Sequence, residues 1–193
     1  MTGHAALPQS PSADQRHWIA LLDAYERAHP DELEAIAVFR QLVGTDADAA
    51  RRERQAGHLT GSAWLVGADG TRVLLTHHRK LDRWLQLGGH ADGDGDLARV
   101  ALREAEEESG LRGLEVERTV FDLDRHRIPA RGDEPAHWHY DVRFVVRARG
   151  SEAFVVGEES HALAWRRIAD IACDETADVS LRRMARKWLA RDA

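Results

Sequence analysis

"LGGHADGDGDLARVALREAEEESGL", Leu87 to Leu111, sets a loop of glycines and aspartates directly before a segment of helical periodicity. Asp96 suits an N-cap, and Gly110 suits the left-handed residue just past a last turn, so the spacing predicts a helix between them. Advancing ~100° per residue puts Ala98, Ala101, Leu102 and Ala105 on one narrow arc, small enough to lie close to a sheet. Glu104, Glu107 and Glu108 share a second arc at i, i+3, i+4, and Glu106 turns toward the side of Arg99 and Arg103. Like charges at those spacings destabilise a helix by ~0.2–0.5 kcal/mol per pair. The helix dipole opposes a carboxylate in the last turn by a further ~0.3–1 kcal/mol. A solvated acidic face places its glutamates in the first turn or interleaves them with lysines, and this stretch does neither. A hard divalent cation removes both penalties, because it takes carboxylate oxygens. The arc is therefore a candidate metal site. The preceding aspartates do not make an EF-hand: Leu97 stands where that loop needs glycine and Arg103 where it needs a bidentate glutamate. No Gly-Lys-Ser/Thr phosphate loop exists anywhere in the chain.

Upstream, "LTGSAWLVG" and "TRVLLTHH" flank Asp69-Gly70, a hairpin signal between two strands. Downstream, strands are expected over 116–124 and 138–147. In the second, Trp138, Tyr140, Val142 and Phe144 alternate with His139, Asp141 and Arg143. His137, His139 and Asp141 project to one side, a face suited to a metal or a phosphate-bearing substrate, or to plain hydrogen bonding with loops. Two helices precede the strands. Trp18, Leu21, Leu22 and Tyr25 mark the first, and Leu33, Ile36, Phe39 and Leu42 the second, with a short polar helix expected over 47–55. A helix over 179–190 closes the chain, with Leu181, Ala185, Trp188 and Leu189 inward and Arg182, Arg183, Arg186 and Lys187 on a solvated basic face. Strands alternating with helices around a glycine-rich loop read as a mixed α/β domain.

The 193 residues suit one domain with an extension. A net charge of −6 argues against a nucleic-acid polymer as partner. A single cysteine, Cys173, excludes an intrachain disulfide, fits a reducing cytoplasm, and is expected to be semi-buried. No apolar run reaches the ~18 residues of a membrane span. Residues 1–13 read as a loose tail.

With Gly89 as its first glycine, the quoted stretch resembles the signature of the Nudix hydrolase family. That signature is glycine, five residues, glutamate, seven residues, then Arg-Glu-apolar-x-Glu-Glu-x-Gly-apolar. Arg103, Glu104, Ala105, Glu107, Glu108, Gly110 and Leu111 match it, and Gly95 stands where its first glutamate belongs, flanked by Asp94 and Asp96. The resemblance implies a Nudix-like α/β/α sandwich with a mixed sheet over 57–193, leaving 14–56 as an N-terminal helical extension.

It further implies a Mg²⁺- or Mn²⁺-dependent hydrolase that cleaves the diphosphate bond of a nucleoside diphosphate linked to another group. Glu104, Glu107, Glu108 and the Gly89 carbonyl would hold metal, and Arg103 would orient a box glutamate. Glu104 and Glu107 carry the catalysis, with Glu159 of "GEESHALAW", ahead of Glu158, as the general base. His90, His126, His139 and Asp141 are the candidate substrate-binding residues. A catalytically weak nucleotide-sensing module is the alternative, motivated by Gly95 and the extension. The isoprenoid-diphosphate isomerases of the superfamily place a cysteine at the site, and Cys173 falls too late for that role. The N-terminal helices offer a homodimer contact.

Overall fold

The computed structural model describes residues 10–132 and 134–192. Residues 1–9 of the expected tail lie outside that range. Two helices come first, α1 (Ala13–Ala28) and α2 (Leu33–Thr45). A capping box starts α1: the Gln15 N–H donates to Ser12 Oγ, and the Ser12 N–H donates to Gln15 Oε1. The polar helix expected over 47–55 does not form. Backbone bonds there link Arg51 to Asp48, Arg54 to Arg51 and Gly57 to Arg54, so the chain makes successive turns. Asp46 reinforces them by accepting from the Asp48 N–H and the Arg54 guanidinium, the local competition that keeps aspartate out of helix interiors.

The elements that follow are β1 (Gly57–Val66), β2 (Arg72–His78), β3 (Arg83–Leu85), β4 (Leu87–His90) and α3 (Leu97–Ser109). After them come β5 (Leu114–Ile128), β6 (His137–Ala148), β7 (Ser160–Arg167), α4 (Ile168–Cys173) and α5 (Val179–Leu189). The described strands form one mixed sheet in the order β3-β2-β1-β6-β5, with β4 added on β1 and β7 on β2. β6 runs parallel to β1 along its whole length. β2 and β4 therefore share the opposite edge of β1, β2 at Val66 and β4 at Thr60 to Ala63. The sheet divides into two branches at that edge.

Every residue of β1 is buried, but its two faces differ. Leu59, Ala63 and Leu65 face a core built with α1, α2 and α3, which includes Trp18, Leu22, Ile36, Phe39, Leu97 and Val100. Gly61 lets α3 rest directly on this face, since a Cβ there would lie 2.9 Å from the Leu97 carbonyl oxygen and from Val100 Cγ1. On the other face, Trp64 and Val66 join a second core with Ile168, Leu181, Met184 and Trp188. The first half of that face is polar instead: His58, Thr60 and Ser62.

Four expectations about the helices need correction. Leu33 lies outside the α2 apolar stripe, 53% exposed at the helix start, and Leu189 is also exposed while Met184 completes the stripe of α5. The basic face of α5 is only partly solvated. Lys187 Nζ binds Asp122 at 2.7 Å and Glu32 at 2.6 Å, and Arg183 binds Asp122 at 2.7 Å and Asp124 at 2.9 Å. Cys173 is exposed at the end of α4 rather than semi-buried.

Candidate active site

Helix α3 carries the acidic arc. The Arg99 N–H donates to Asp96 Oδ1, which caps its start, and Gly110 ends it at φ 70°. Glu104 and Glu108 are partly buried and Glu107 is exposed. Arg103 Nη2 donates to Glu104 Oε1 at 2.7 Å and to the His90 carbonyl at 3.0 Å, which fixes the glutamate against the end of β4. The Gly88 N–H donates to Glu108 Oε1 at 2.9 Å. A Cβ on Gly89 would lie 2.7 Å from Glu104 Cδ and collide with its Oε2, so only glycine admits the carboxylate this close to the strand.

Burial pushes Glu108 up to about 8, against the Gly88 hydrogen bond, and the charges of Glu104, Glu159 and Glu107 push the same way. Glu104 is also raised, chiefly by burial, with Arg103 opposing and Glu107 and Glu159 adding to the rise. The arc thus holds carboxylates that repel one another in a partly desolvated place, with Arg103 the cation paired to it. Hard oxygens from three glutamates beside a glycine turn are a donor set that fits Mg²⁺ or Mn²⁺. Glu159 enters from the start of β7's turn. Arg79 secures that turn through the carbonyls of Glu158, Glu159 and Ser160.

Gly95, where this chain departs from the signature, lies against α1. A Cβ at Gly95 would lie 2.7 Å from Asp14 Oδ2 and collide with the rest of that carboxylate. Trp18 Nε1 donates to the Gly95 carbonyl at 2.8 Å. Helix α1 occupies the space a glutamate side chain would need. Neither flanking aspartate is free to replace it: Asp94 holds Arg99 at 2.7 Å, and Asp96 caps α3 and holds Arg118 at 2.6 Å.

The polar face of the sheet gathers the histidines. Ring centroids of His58 lie 5.2 Å from His90, 5.0 Å from His139 and 5.1 Å from His137, and His126 lies 5.5 Å from His139. His126 Nδ1 is 3.1 Å from Asp124, and His90 Nδ1 is 3.2 Å from Arg52 Nη2. Burial holds His58 down to about 4 and His139 to about 2, with neighbouring imidazoles adding to both effects. Asp141 stands apart from the expected substrate-binding set. It is 1% exposed, accepts from Thr60, Ser62 and Gln86, and pairs with Arg143 at 2.7 Å. Arg143, itself 2% exposed, also reaches Asp122 and Asp124. Asp141 is thus a buried acceptor bound to the polar residues of β1 and to Arg143.

Two features escaped the sequence. His58 lies in the β1 stretch, where the period-two set His58, Thr60, Ser62 signals a polar face. Asp14 and Trp18 meet Gly95 across more than seventy-five residues, a contact with no local signal.

A carboxylate helix thus lies against the glycine turn of a divided mixed sheet. Residues 58–188 match the NUDIX domain, and the chain belongs to the Nudix family. Its fold is shared by a MutT protein from Methanosarcina mazei Go1, at 14% identity and TM-score 0.57 over 72% of this chain and 97% of that one. The C. elegans Ap4A hydrolase in a binary complex aligns at 16% identity and TM-score 0.54, covering 69% of this chain and 96% of that one. The E. coli dihydroneopterin triphosphate pyrophosphohydrolase aligns at 17% and 0.55, covering 69% and 95%. No curated protein matches the sequence significantly. Among the described residues, no helix is long and apolar enough to cross a membrane.

Proposed function

We propose that the protein is a Mg²⁺- or Mn²⁺-dependent hydrolase of the diphosphate bond in a nucleoside diphosphate derivative. The observation that carries this reading is the α3 arc, with Glu108 pushed up to about 8 by burial and by its neighbouring carboxylates. Glu104, Glu107, Glu108 and the Gly89 carbonyl would hold the metal, which would supply neutralisation of diphosphate charge and activation of water for attack. Arg103 positions Glu104 through its 2.7 Å contact and ties it to the His90 carbonyl. Glu159, whose charge reaches both Glu104 and Glu108, takes the proton of the attacking water. His90, His126 and His139 line the polar sheet face as donors to substrate phosphate or base.

The names of the similar structures, Ap4A hydrolase and a pteridine triphosphate pyrophosphohydrolase among them, agree with a phosphoanhydride substrate. The test is Mg²⁺-dependent phosphate release across dinucleoside polyphosphates, nucleotide sugars, coenzyme A and nucleoside triphosphates. Turnover of at least one class, lost in Glu107→Gln, supports hydrolysis. The filling of the Gly95 space by α1 favours a second reading, a nucleotide-sensing module. Nucleotide binding by calorimetry without turnover of any class would establish it.

A further inference from the structure

We propose that His58, His90 and His139 form a second metal site, distinct from the glutamate arc, which binds Zn²⁺ through three imidazole nitrogens. One ring nitrogen from each of the three lies within 4.8 Å of the other two. Tetrahedral Zn²⁺ with Zn–N near 2.0–2.1 Å needs ligand nitrogens roughly 3.3–3.4 Å apart, so small side-chain rotations close the set. The three come from three different strands. His58 and His139 are register partners on β1 and β6, and His90 pairs with Thr60 from β4. The sheet therefore fixes all three Cα positions before any cation arrives.

An ordinary polar strand face predicts a hydrogen-bond partner for each buried ring. His58 violates that expectation. It is 2% exposed, and neither its Nδ1 nor its Nε2 meets a protein partner in hydrogen-bond geometry, although the Arg54 backbone lies close enough to favour the protonated ring. Leaving such a nitrogen unsatisfied is costly, and a cation ligated by one of the two would satisfy that one. His137 supports the arrangement from behind. Its Nδ1 meets the Pro135 carbonyl at 2.9 Å, so that nitrogen carries the proton, and its Nε2 lies 3.2 Å from His139 Nε2. His137 Nε2 can therefore accept a proton held on His139 Nε2, leaving His139 Nδ1 to ligate, and an acceptor for the second ring N–H is the support that metal-ligating imidazoles ordinarily have.

The site is separate from the arc. The Cβ direction of Gly89 meets Glu104 of α3, and alternation along β4 sends His90 to the opposite face. That face is the one on which Thr60 and Ser62 meet Asp141. Donor chemistry separates the two sites as well, since imidazole suits zinc and carboxylate suits magnesium. At the His90 ring, Arg52 Nη2 lies 3.2 Å from Nδ1, and Asp92 holds that guanidinium through two bonds at 2.6 and 3.2 Å, an anchor for it once zinc displaces it from the ring. His90 and His139 are partly exposed, which leaves the fourth position open to water or a phosphate oxygen.

Metal-stripped protein is titrated with ZnSO4 in excess Mg²⁺ by calorimetry, and zinc content is read by mass spectrometry after gel filtration. The expected result is one zinc per chain, kept in Glu107→Gln and Glu108→Gln and weakened more than about tenfold in His90→Gln and His139→Gln. Zinc binding that survives both histidine substitutions overturns the site, as does its absence from the wild type or its loss in Glu108→Gln. Where a histidine variant loses its circular dichroism signature, the wild-type Co²⁺ spectrum decides. Intense d–d bands of a tetrahedral nitrogen centre support the site, and weak octahedral bands overturn it. The inference does not depend on hydrolysis, which the Mg²⁺ turnover screen tests separately.

Discussion

Gly95→Ala is a small change with a specific expected partner. The new methyl would overlap the Asp14 carboxylate, with Oδ2 at 2.7 Å and the other atoms nearer. The backbone at Gly95 is not in the left-handed region, so alanine meets no conformational penalty there. Asp14 is exposed and can rotate away, so the loss falls at the low end of overpacking, about 1 kcal/mol. For a chain of this size that is a melting shift of roughly 2–4 °C. Gly95→Glu restores the signature residue but adds a third carboxylate beside Asp94 and Asp96, against Asp14 and under Trp18. It should cost about 2–3 kcal/mol. Asp14→Ala should recover about 1 kcal/mol of either loss, because the clash is with that side chain. Urea melts of the four members of the Asp14/Gly95 cycle measure the coupling. If Gly95→Ala destabilises the wild type and the Asp14→Ala background equally, α1 does not explain the missing glutamate.

Glu107→Gln and Glu108→Gln should each lower kcat by ~10²-fold with circular dichroism unchanged, while Glu106→Gln stays near wild type; a loss in Glu106→Gln equal to that of Glu107→Gln would refute the arc. Saturating Mg²⁺ should raise the wild-type melting temperature, with ~2.7 kcal/mol expected at 100 times the dissociation constant, and Glu104→Gln should be at least as stable without metal yet gain less from it. Arg143→Met leaves Asp122, Asp124 and Asp141 without their shared cation, so it should cost about 3–5 kcal/mol, roughly 6–20 °C of melting temperature. In chelator, stability should fall as pH rises between about 4.5 and about 8, because folded Glu108 keeps a proton the unfolded chain has lost, and Glu108→Gln should flatten that slope.

The parts of the molecule that were legible in the sequence are those governed by local rules. The bounds of α3 followed from Asp96 and Gly110, and the β1–β2 hairpin from Asp69-Gly70. Both are decided by a cap or a turn residue acting on its immediate neighbours. β3, β4 and β7 were missed for the opposite reason. They run for three to eight residues, and two of them carry glycines or histidines where a strand pattern expects apolar alternation. Pairing with β1 and β2 creates them, and pairing is not a local property. The basic run of α5 was misread on the same principle: four cations at helical spacing look solvated until β5 supplies Asp122 and Asp124 across sixty residues.

The same reasoning bears on the extension. The family match begins at residue 58, after both N-terminal helices. Yet Trp18, Leu22, Ile36 and Phe39 belong to one core with Leu59, Leu97 and Val142. Tyr25 and Glu32 complete the charge web of Lys187 and Asp122. Trp18 also binds the loop that starts the carboxylate helix. A segment that supplies a core wall, a partly buried ion-pair partner and a contact at the signature loop cannot be removed as an independent unit. Gly95 lies at that contact: Trp18 donates to its carbonyl and the Asp14 carboxylate fills the space beside its Cα, so α1 meets the loop that leads into the arc of Glu104, Glu107 and Glu108.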